Sequence, residues 1–426
     1  MLPDGPSLPR AAQTLAWITR PGPFLWRQRR RYGDVFTIRL GAEPTLVILA
    51  DPDHVREVFT GDPAVLHAGE GNRILLPFVG PKSVLLLDDG EHLRQRKLLL
   101  PPFHGERMRA YADLIREVAD AEVAGWRPGA AFQLAPRMQA LTLQVIMRAV
   151  FGVRETRRLD TLGAALTRVL DASTRPQILA MLALLGPDRV HRRGLLRHSQ
   201  SPVRALLLEE IHRARRAADL AERDDVLAML AQARDEQGAA MDDDELLDEL
   251  VTLLVAGHET TATALAWAVE RLVRHPEADA RLRADETDAY ARAVAHETLR
   301  LRPVIPIVAR RLTRPYTVAG RELPRGVAVA PCVWLVHRRE DVYPEPHAFR
   351  PERFLEARPG TYTWIPFGGG VRRCLGANFA LFEMTEVLRA IARGPRLRAV
   401  GDGFEPVRRR AVTLTPGRRT AVAVAG

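Results

Sequence analysis

The chain has 426 residues, of which 46% are hydrophobic and 27% are charged, a composition that is typical of folded globular proteins and excludes intrinsic disorder. Its only cysteines are Cys332 and Cys374, so a disulfide scaffold and any four-cysteine zinc or iron–sulfur site are excluded. Lys and Arg number 62 against 52 Asp and Glu, which gives a formal net charge of +10 at pH 7.

The N-terminal part of the chain contains five prolines and predicts an irregular segment over 1–30. Asp4 and these prolines do not fit a secretory signal peptide. The longest uncharged apolar stretches, such as Leu141–Met147 and Val251–Gly257, are much shorter than the ~18–20 residues that cross a bilayer. We therefore expect no membrane span and a cytoplasmic location.

Two apolar runs, Val35–Leu40 and Thr45–Ala50, flank a turn signal at 41–44 and predict a β-hairpin. Asp51 followed by proline is typical of a helix N-cap and first turn, which predicts a short helix over 52–59.

From about residue 91 to 300 the apolar residues recur with the period of a helix. One helix is predicted to run from about Asp242 to Val273, because acidic residues open it and His275–Pro276 ends it. A helix of ~30 residues spans ~45 Å, enough to cross a whole domain.

After residue 303 the pattern changes to short runs of β type. These are followed by a proline-rich loop over 343–366 and a last helix over about 375–393. The predicted strand runs are Ile305–Arg310, Tyr316–Ala319 and Val327–Val333. The sequence therefore predicts a mainly α fold with a minor β part (α+β) and no clear domain boundary.

The glycine-rich stretch 367–376 leads into this last helix with Cys374 at the junction. A cysteine at a helix start is expected to be a thiolate, which can act as a nucleophile or a metal ligand. A phosphatase loop would need an arginine at position 380, where Ala380 stands, and a phosphate-binding P-loop would need a lysine. A buried structural cysteine under a tight turn is the remaining alternative.

The spacing of Phe367, Gly370, Arg372, Cys374 and Gly376 resembles the haem loop of the cytochrome P-450 superfamily of haem-thiolate monooxygenases. The resemblance implies a triangular, helix-rich single domain over 1–426 that encloses haem b between a long distal helix and the helix after the cysteine. It also implies that Cys374 is the thiolate ligand of the haem iron, which favours O–O cleavage.

In the same loop the resemblance places Phe367 beside the sulfur, Gly368 and Gly376 against the cofactor, and Arg372 on a haem propionate. His92 and Arg96, four residues apart on one helix, and Arg310 are implied as further propionate ligands.

The long helix contains Ala256, Gly257, Glu259 and Thr260, which resemble the oxygen-activation motif of the family. The resemblance implies that the two small residues leave room for O2, that Thr260 holds a water and that Glu259 relays protons. A mid-helix threonine that bonds back to a carbonyl one turn earlier is the alternative interpretation.

Glu297 and Arg300 lie three apart on a helix, a spacing that is also common in exposed ion pairs. Their position between the long helix and the cysteine loop resembles the family, which implies a structural cluster with Arg353. Apolar residues at family positions for substrate contact are predicted to line a pocket: Leu75, Leu76, Phe78, Val79, Leu253, Val304, Ile305, Ile307 and Val308. A loop over about 173–201 is expected to cover its entrance.

We therefore predict a monooxygenase that inserts one atom of O2 into an apolar terpenoid, fatty acid or steroid-like substrate. A family member diverted to isomerisation, dehydration or oxidative coupling is one alternative, and a non-enzymatic haem-binding sensor is another. No reductase domain is recognised, so electrons are expected from a separate ferredoxin and ferredoxin reductase.

The arginine excess has two interpretations, a coding bias or attraction to an acidic partner. Arg372, Arg373, Arg94 and Lys97 are predicted to form a positive face for a ferredoxin. No nucleic acid is expected, because the arginines are scattered and the chain has only 6 Tyr and 6 Trp for stacking. We expect a monomer.

Overall fold

The computed structural model describes residues 1–41, 44–103, 107–152, 156–173 and 176–425; Ala42 and Glu43 of the predicted turn lie outside the described residues. The described helices are α1 Arg10–Thr19, α2 Pro21–Tyr32, α3 Pro52–Thr60, α4 Ala68–Gly71, α5 Leu76–Val79, α6 Asp89–Leu99, α7 Arg107–Ala124, α8 Leu134–Phe151, α9 Thr156–Ser173, α10 Pro176–Leu185, α11 Pro187–Arg192, α12 Arg197–Arg216, α13 Val226–Gln232, α14 Asp243–Leu272, α15 Pro276–Ala284, α16 Ala289–Leu301, α17 Val333–Val336, α18 Arg353–Glu356 and α19 Ala377–Arg393.

The strands are short and form small sheets, which confirms a mainly α fold with a minor β part. They are β1 Val35–Arg39, β2 Thr45–Leu49, β3 Leu66–His67, β4 Ala131–Gln133, β5 Arg310–Leu312, β6 Tyr316–Val318, β7 Arg321–Leu323, β8 Ala328–Pro331, β9 Leu397–Ala399, β10 Val407–Arg410, β11 Thr413–Pro416 and β12 Ala421–Val424. One sheet has the order β1-β2-β8-β5-β3, another β4-β12-β9, and two hairpins pair β6 with β7 and β10 with β11.

The predicted hairpin and its following helix are confirmed. Val35 of β1 pairs with Leu49 of β2 in an antiparallel register, and β2 pairs in parallel with β8. The Asp51 carboxylate accepts a hydrogen bond from the Asp53 amide and caps α3.

The 30-residue helix α14 passes through the centre of the molecule and confirms the predicted long helix. A capping box begins it: the Asp242 side chain accepts from the Glu245 amide, and the Glu245 carboxylate accepts from the Asp242 amide. Its apolar residues belong to the largest core cluster together with those of α7, α8, α16 and α19. Among the residues that the structure describes, no helix is both long and apolar enough to cross a membrane.

Three predictions about local structure are wrong. Residues 1–30 are largely helical, because Pro21 and Pro23 fall in the first turn of α2, where proline is tolerated. The stretch 305–309 is irregular and the strand begins only at Arg310, while Val333 begins α17. The loop expected over 173–201 is built from α10, α11 and the start of α12 wherever the structure describes it.

Candidate active site

The loop that carries Cys374 closes on itself. The Cys374 amide donates to the Phe367 carbonyl at 3.0 Å, and the Phe367 ring meets the Trp364 ring edge to face with centroids 5.9 Å apart. Gly370 has φ +64°, and a Cβ on it would lie 2.1 Å from the Phe59 carbonyl oxygen of α3. Only glycine therefore allows the loop to pack this closely on α3. Gly368 also has a positive φ, +66°.

Cys374 does not meet the expectation of a thiolate stabilised by a helix start. It lies two residues before Gly376, the N-cap of α19, and burial raises the pKa of its thiol more than Arg373, Arg96 and the Gly376 amide lower it. The side chain is nevertheless exposed by surface area. The sulfur is therefore accessible to a small ligand although many protein atoms surround it.

A cluster of basic side chains lies beside the cysteine loop, from α6, β5 and the loop itself. Burial, followed by repulsion from Arg372, Arg96 and Arg310, lowers the pKa of His92 to about 3. Burial also lowers the pKa of Arg310 and of Arg372 to about 10. The structure thus brings together the four basic residues predicted from the sequence. We call His92, Arg96, Arg310 and Arg372 the basic cluster.

Asp88 is the carboxylate that pairs with Arg372 of the basic cluster. Its Oδ1 lies 2.5 Å from Arg372 Nη2, and its two oxygens accept from the amides of Gly69 and Glu70 at 2.9 and 3.0 Å. Arg96 and Arg310 have no ion pair within the described part of the chain. The cluster therefore keeps one buried and one half-buried guanidinium group, those of Arg310 and Arg96, which can pair with carboxylates of a ligand.

In the middle of α14 the structure places the acid and the alcohol predicted from the sequence. Thr260 Oγ1 donates to the Ala256 carbonyl at 2.6 Å, which is the back-bond of the alternative interpretation. Ala256 is exposed although most of α14 is buried. A Cβ on Gly257 would lie 3.1 Å from Ile146 Cδ1, so the absence of a side chain here allows α8 to approach α14 closely.

Glu259 is held from two sides by residues that sequence reasoning missed. Its Oε2 accepts from Gln139 Nε2 of α8 at 2.9 Å, and its Oε1 accepts from Arg410 Nη1 of β10 at 3.1 Å. The neighbouring His258 contacts Thr142 Oγ1 through Nδ1 at 3.0 Å, and burial lowers its pKa to about 4. Partners more than 100 residues away leave no local signal in the sequence.

Glu297 and Arg300 form a bidentate ion pair with no exposed side-chain surface, so the exposed-pair interpretation is wrong. The shorter Nε–Oε2 distance is 2.6 Å, and Arg353 Nε adds a contact to Glu297 at 3.3 Å. Arg300 also donates to the carbonyls of His337, Pro346 and Ala348. The buried pair thus fixes the proline-rich loop on α16.

His337, also missed from the sequence, connects this buried pair to the cysteine loop. Its Nδ1 lies 3.2 Å from the Arg300 carbonyl, and its Nε2 accepts from the Ile365 amide at 2.8 Å, two residues before Phe367. Burial lowers its pKa well below the ordinary value, which keeps the ring neutral and able to accept.

The predicted pocket residues divide into two groups. Leu76, Val79 and Val304 are buried within apolar clusters, whereas the others are partly exposed. Ile307 packs against the cluster of the N-terminal helices and sheet, and Val308 lies near Gly368. The partly exposed members are Leu75, Phe78, Leu253, Ile305, Ile307 and Val308. Helix α11 packs on α5, which carries Phe78.

Three of the four cations predicted to dock a ferredoxin are already engaged in ion pairs. Arg94 Nε lies 2.6 Å from Asp235 and Lys97 Nζ lies 2.6 Å from Glu236, while Arg372 pairs with Asp88. Within the described residues Arg373 is the member of this set that has no ion pair. These ion pairs do not test whether the four residues form a positive face for a ferredoxin, which stays a prediction.

A family model described as Cytochrome P450 matches residues 3–398. The chain belongs to the cytochrome P450 family. The chain is 43% identical to cytochrome P450 135B1 of Mycobacterium tuberculosis over 99% of this chain and 91% of that protein. It is 39% identical to cytochrome P450 135A1 of the same species over 97% of this chain and 93% of that protein.

Solved P450 structures have the same fold. Retinoic-acid-bound cyanobacterial CYP120A1 is similar with a TM-score of 0.84 and 22% identity, over 100% of this chain and 99% of that one. CYP175A1 from Thermus thermophilus is similar with a TM-score of 0.75 and 30% identity, over 96% of this chain and 95% of that one. Membership of the P450 family makes the protein a haem-thiolate oxidoreductase of the monooxygenase class.

The residues present fit a haem. An accessible cysteine on a glycine loop can ligate iron, and the guanidinium groups of the half-buried Arg96 and the buried Arg310 can pair with the two propionates of the macrocycle. Cys374 would ligate the iron of a P450 haem, and the basic cluster would hold its propionates.

Proposed function

We propose that this P450 inserts one oxygen atom of O2 into an apolar substrate such as a terpenoid, a fatty acid or a steroid-like molecule. The observation that carries this proposal is the pair Glu259 and Thr260 in mid-α14, one turn after the exposed Ala256. Monooxygenation consumes two protons, and a positioned carboxylate beside a hydroxyl is the arrangement that can move them.

When bound, haem with a thiolate ligand supplies the activation of O2. Cys374 would be that ligand, and iron would keep the sulfur deprotonated against the burial that raises the pKa of the free thiol. His92, Arg96, Arg310 and Arg372 would hold the propionates. Phe367 would cover the sulfur from the Trp364 side, and Gly368 and Gly376 would leave the loop backbone close to the macrocycle.

Thr260 would position a water for proton delivery. Its hydroxyl proton is used in the bond to the Ala256 carbonyl, so the oxygen lone pairs can accept from a water on the exposed side of α14. Glu259 would exchange protons with that water while Gln139 and Arg410 keep its carboxylate in one orientation.

The partly exposed pocket side chains support an apolar substrate, because they are aliphatic or aromatic. Two charged side chains near this region, Arg73 and Asp188, pair with each other. The pair also ties the segment before α5 to α11.

Electrons would come from a separate ferredoxin and ferredoxin reductase. The chain covers 91% of cytochrome P450 135B1, so that relative has little length for a fused reductase. We further propose one haem domain over 1–426, a monomer, and action in the cytoplasm, with Arg373 as the cation available to a redox partner.

Replacing Thr260 with alanine tests the proposal. We expect less hydroxylated product while electron consumption continues, with the difference released as hydrogen peroxide, in a system reconstituted with ferredoxin and ferredoxin reductase. Thr252→Ala is the matched control, because Thr252 makes the same back-bond to the Asp248 carbonyl at 2.7 Å two turns earlier. If T260A and the wild-type protein converted the same fraction of electrons into product, Thr260 would have no role in proton delivery.

The substrate for this assay comes from a spectral screen of apolar compounds. A compound that binds beside the haem and displaces the distal water is expected to shift the iron from low to high spin. If only charged, hydrophilic compounds produced the shift, the proposed substrate class would be wrong.

A further inference from the structure

Helix α1 buries a polar side chain and exposes aliphatic ones, the reverse of the usual arrangement in a surface helix. Gln13 is 1% exposed and faces inward, where it donates to the Pro6 and Leu8 carbonyls and accepts from the Arg39 amide at 2.9 Å. Leu15 is 64% exposed and Ile18 is 44% exposed on the opposite face. Burial therefore does not explain why the outer face of this helix is aliphatic.

The aliphatic residues form a continuous stripe. Leu15 and Ile18 are three apart, and Ala11 and Ala12 lie on the same exposed side of α1. Leu8, which precedes the helix, is 51% exposed. Single exposed leucines are normal on a protein surface, but a stripe of helical spacing is typical of an interaction surface.

The same part of the chain is strongly basic. Between Asp4 and Asp34 the sequence has six arginines and no acidic residue, so 5–33 contributes +6 of the net charge of +10. Among these, Arg29 pairs with Asp34 at 2.6 Å. Four others are exposed and have no ion pair within the described residues: Arg20, Arg27, Arg30 and Arg31.

We propose that α1 and α2 dock the protein on an anionic lipid bilayer. The lipid-docking surface consists of Leu8, Leu15 and Ile18 with Arg20, Arg27, Arg30 and Arg31. The aliphatic side chains enter the headgroup region, and the guanidinium groups pair with lipid phosphates.

The composition of the lipid-docking surface favours lipid over nucleic acid. A single-stranded nucleic-acid surface presents exposed aromatic rings for stacking, whereas here Trp17 and Phe24 are 3% and 6% exposed and Trp26 and Tyr32 are only partly exposed, each in contact with an arginine of α2. Exposed aliphatic residues beside unpaired arginines match the chemistry of an anionic membrane interface. The proposal does not depend on the reaction that the haem site performs.

The test measures co-sedimentation of the full holoprotein with vesicles of phosphatidylcholine alone and of phosphatidylcholine mixed with phosphatidylglycerol. We expect binding to the anionic vesicles, weaker binding to the neutral ones, and a decrease as salt is added. The double variants L15S/I18S and R27Q/R30Q are each expected to weaken binding to the anionic vesicles by about tenfold or more.

The matched controls are double variants with the same kinds of substitution outside α1 and α2. L355S/V400S replaces two other exposed aliphatic residues, and R321Q/R325Q removes two other exposed arginines; both are expected to bind as wild type does. The reduced CO spectrum of each variant verifies that the haem site is intact.

Absence of wild-type binding to anionic vesicles, or loss of binding in the control variants equal to that in the test variants, would overturn the proposal. The proposal would also be overturned if R27Q/R30Q weakened binding to anionic vesicles and L15S/I18S did not, because the aliphatic residues of α1 would then have no role in docking. Binding to RNA or to an acidic protein without binding to vesicles would assign the surface to a different partner.

Discussion

Arg410 Nη1 lies 3.1 Å from Glu259 Oε1, and this contact joins the hairpin β10–β11 to the middle of the distal helix α14. The two residues are 151 positions apart in the chain. Gln139 holds the other carboxylate oxygen at 2.9 Å. The orientation of the acidic side chain therefore depends on two elements that have no chemical role of their own.

Replacing Arg410 with glutamine should impair proton delivery through Glu259. We expect a lower fraction of electrons recovered in product, by about two- to tenfold, and a changed solvent deuterium isotope effect on turnover, because the carboxylate loses its fixed orientation. A double-mutant cycle with E259Q is the measurement: R410Q should add nothing once Glu259 is replaced. Additive effects would mean that Arg410 acts elsewhere, and R408Q, on the same strand, serves as the control.

Removing Arg300 should destabilise the protein by about 3–5 kcal/mol, because Glu297 would keep a buried charge without its partner. Urea unfolding of the holoprotein measures this loss. Arg213→Ala breaks an exposed pair with Glu209 at 3.0 Å and should cost under about 1 kcal/mol. Equal costs for the two variants would contradict the structural role of the buried pair.

The basic cluster should determine how tightly haem is retained. Arg310→Gln is expected to speed haem transfer to apomyoglobin by about 10–100-fold, which corresponds to the loss of one charge-assisted hydrogen bond. Arg311→Gln is the matched control, since Arg311 is the next residue along β5 and pairs with Glu70 at 3.5 Å. An unchanged transfer rate in R310Q would exclude Arg310 as a propionate ligand.

Glu383 of α19 predicts a specific dependence of stability on pH. Its side chain is buried, its Oε1 has no hydrogen-bond partner among the residues that the structure describes, and burial raises its pKa to about 8 from an ordinary 4.5. Below pH 4.5 the carboxyl group is protonated in both the folded and the unfolded protein, so it does not change the free energy of unfolding. As the pH rises from 4.5 to 8 the unfolded chain ionises first, and this group lowers the free energy of unfolding by about 1.4 kcal/mol per pH unit.

Glu383→Gln should therefore be stabilising at pH 8 and nearly neutral at pH 5, as measured by urea unfolding. Glu386→Gln, one turn later, should be destabilising at pH 8, because it breaks a pair with Arg116 at 2.7 Å. A similar effect of E383Q at both pH values would show that the carboxyl is ionised in the folded protein.

The sequence predicted those parts of the fold that depend on local patterns. The hairpin β1–β2, the cap of α3 and the full length of α14 follow from turn residues, capping residues and helical periodicity. The N-terminal helices escape prediction because a proline in the first turn of a helix has the same local pattern as a proline that breaks one. Residues 305–309 have the apolar pattern of a strand but only precede β5.

The candidate site was predictable where one segment carries it, as in the Cys374 loop and the Glu259–Thr260 pair. Its supporting residues were not: Asp88, Gln139, His337 and Arg410 act through contacts that only the folded chain creates. The ion pairs of Arg94 and Lys97 likewise depend on acidic residues more than 100 positions away.

Ligation of the haem iron by Cys374 is the central claim, and the spectrum of the reduced, CO-bound protein tests it directly. We predict the strongly red-shifted Soret band of a thiolate-ligated haem in the wild-type protein. The same band is expected in Cys332→Ser, because the thiol of Cys332 is buried directly after β8. Cys374→His should replace that band with one of the imidazole type. An imidazole-type band in the intact wild-type protein, or an unchanged red-shifted band in Cys374→His, would contradict the assignment.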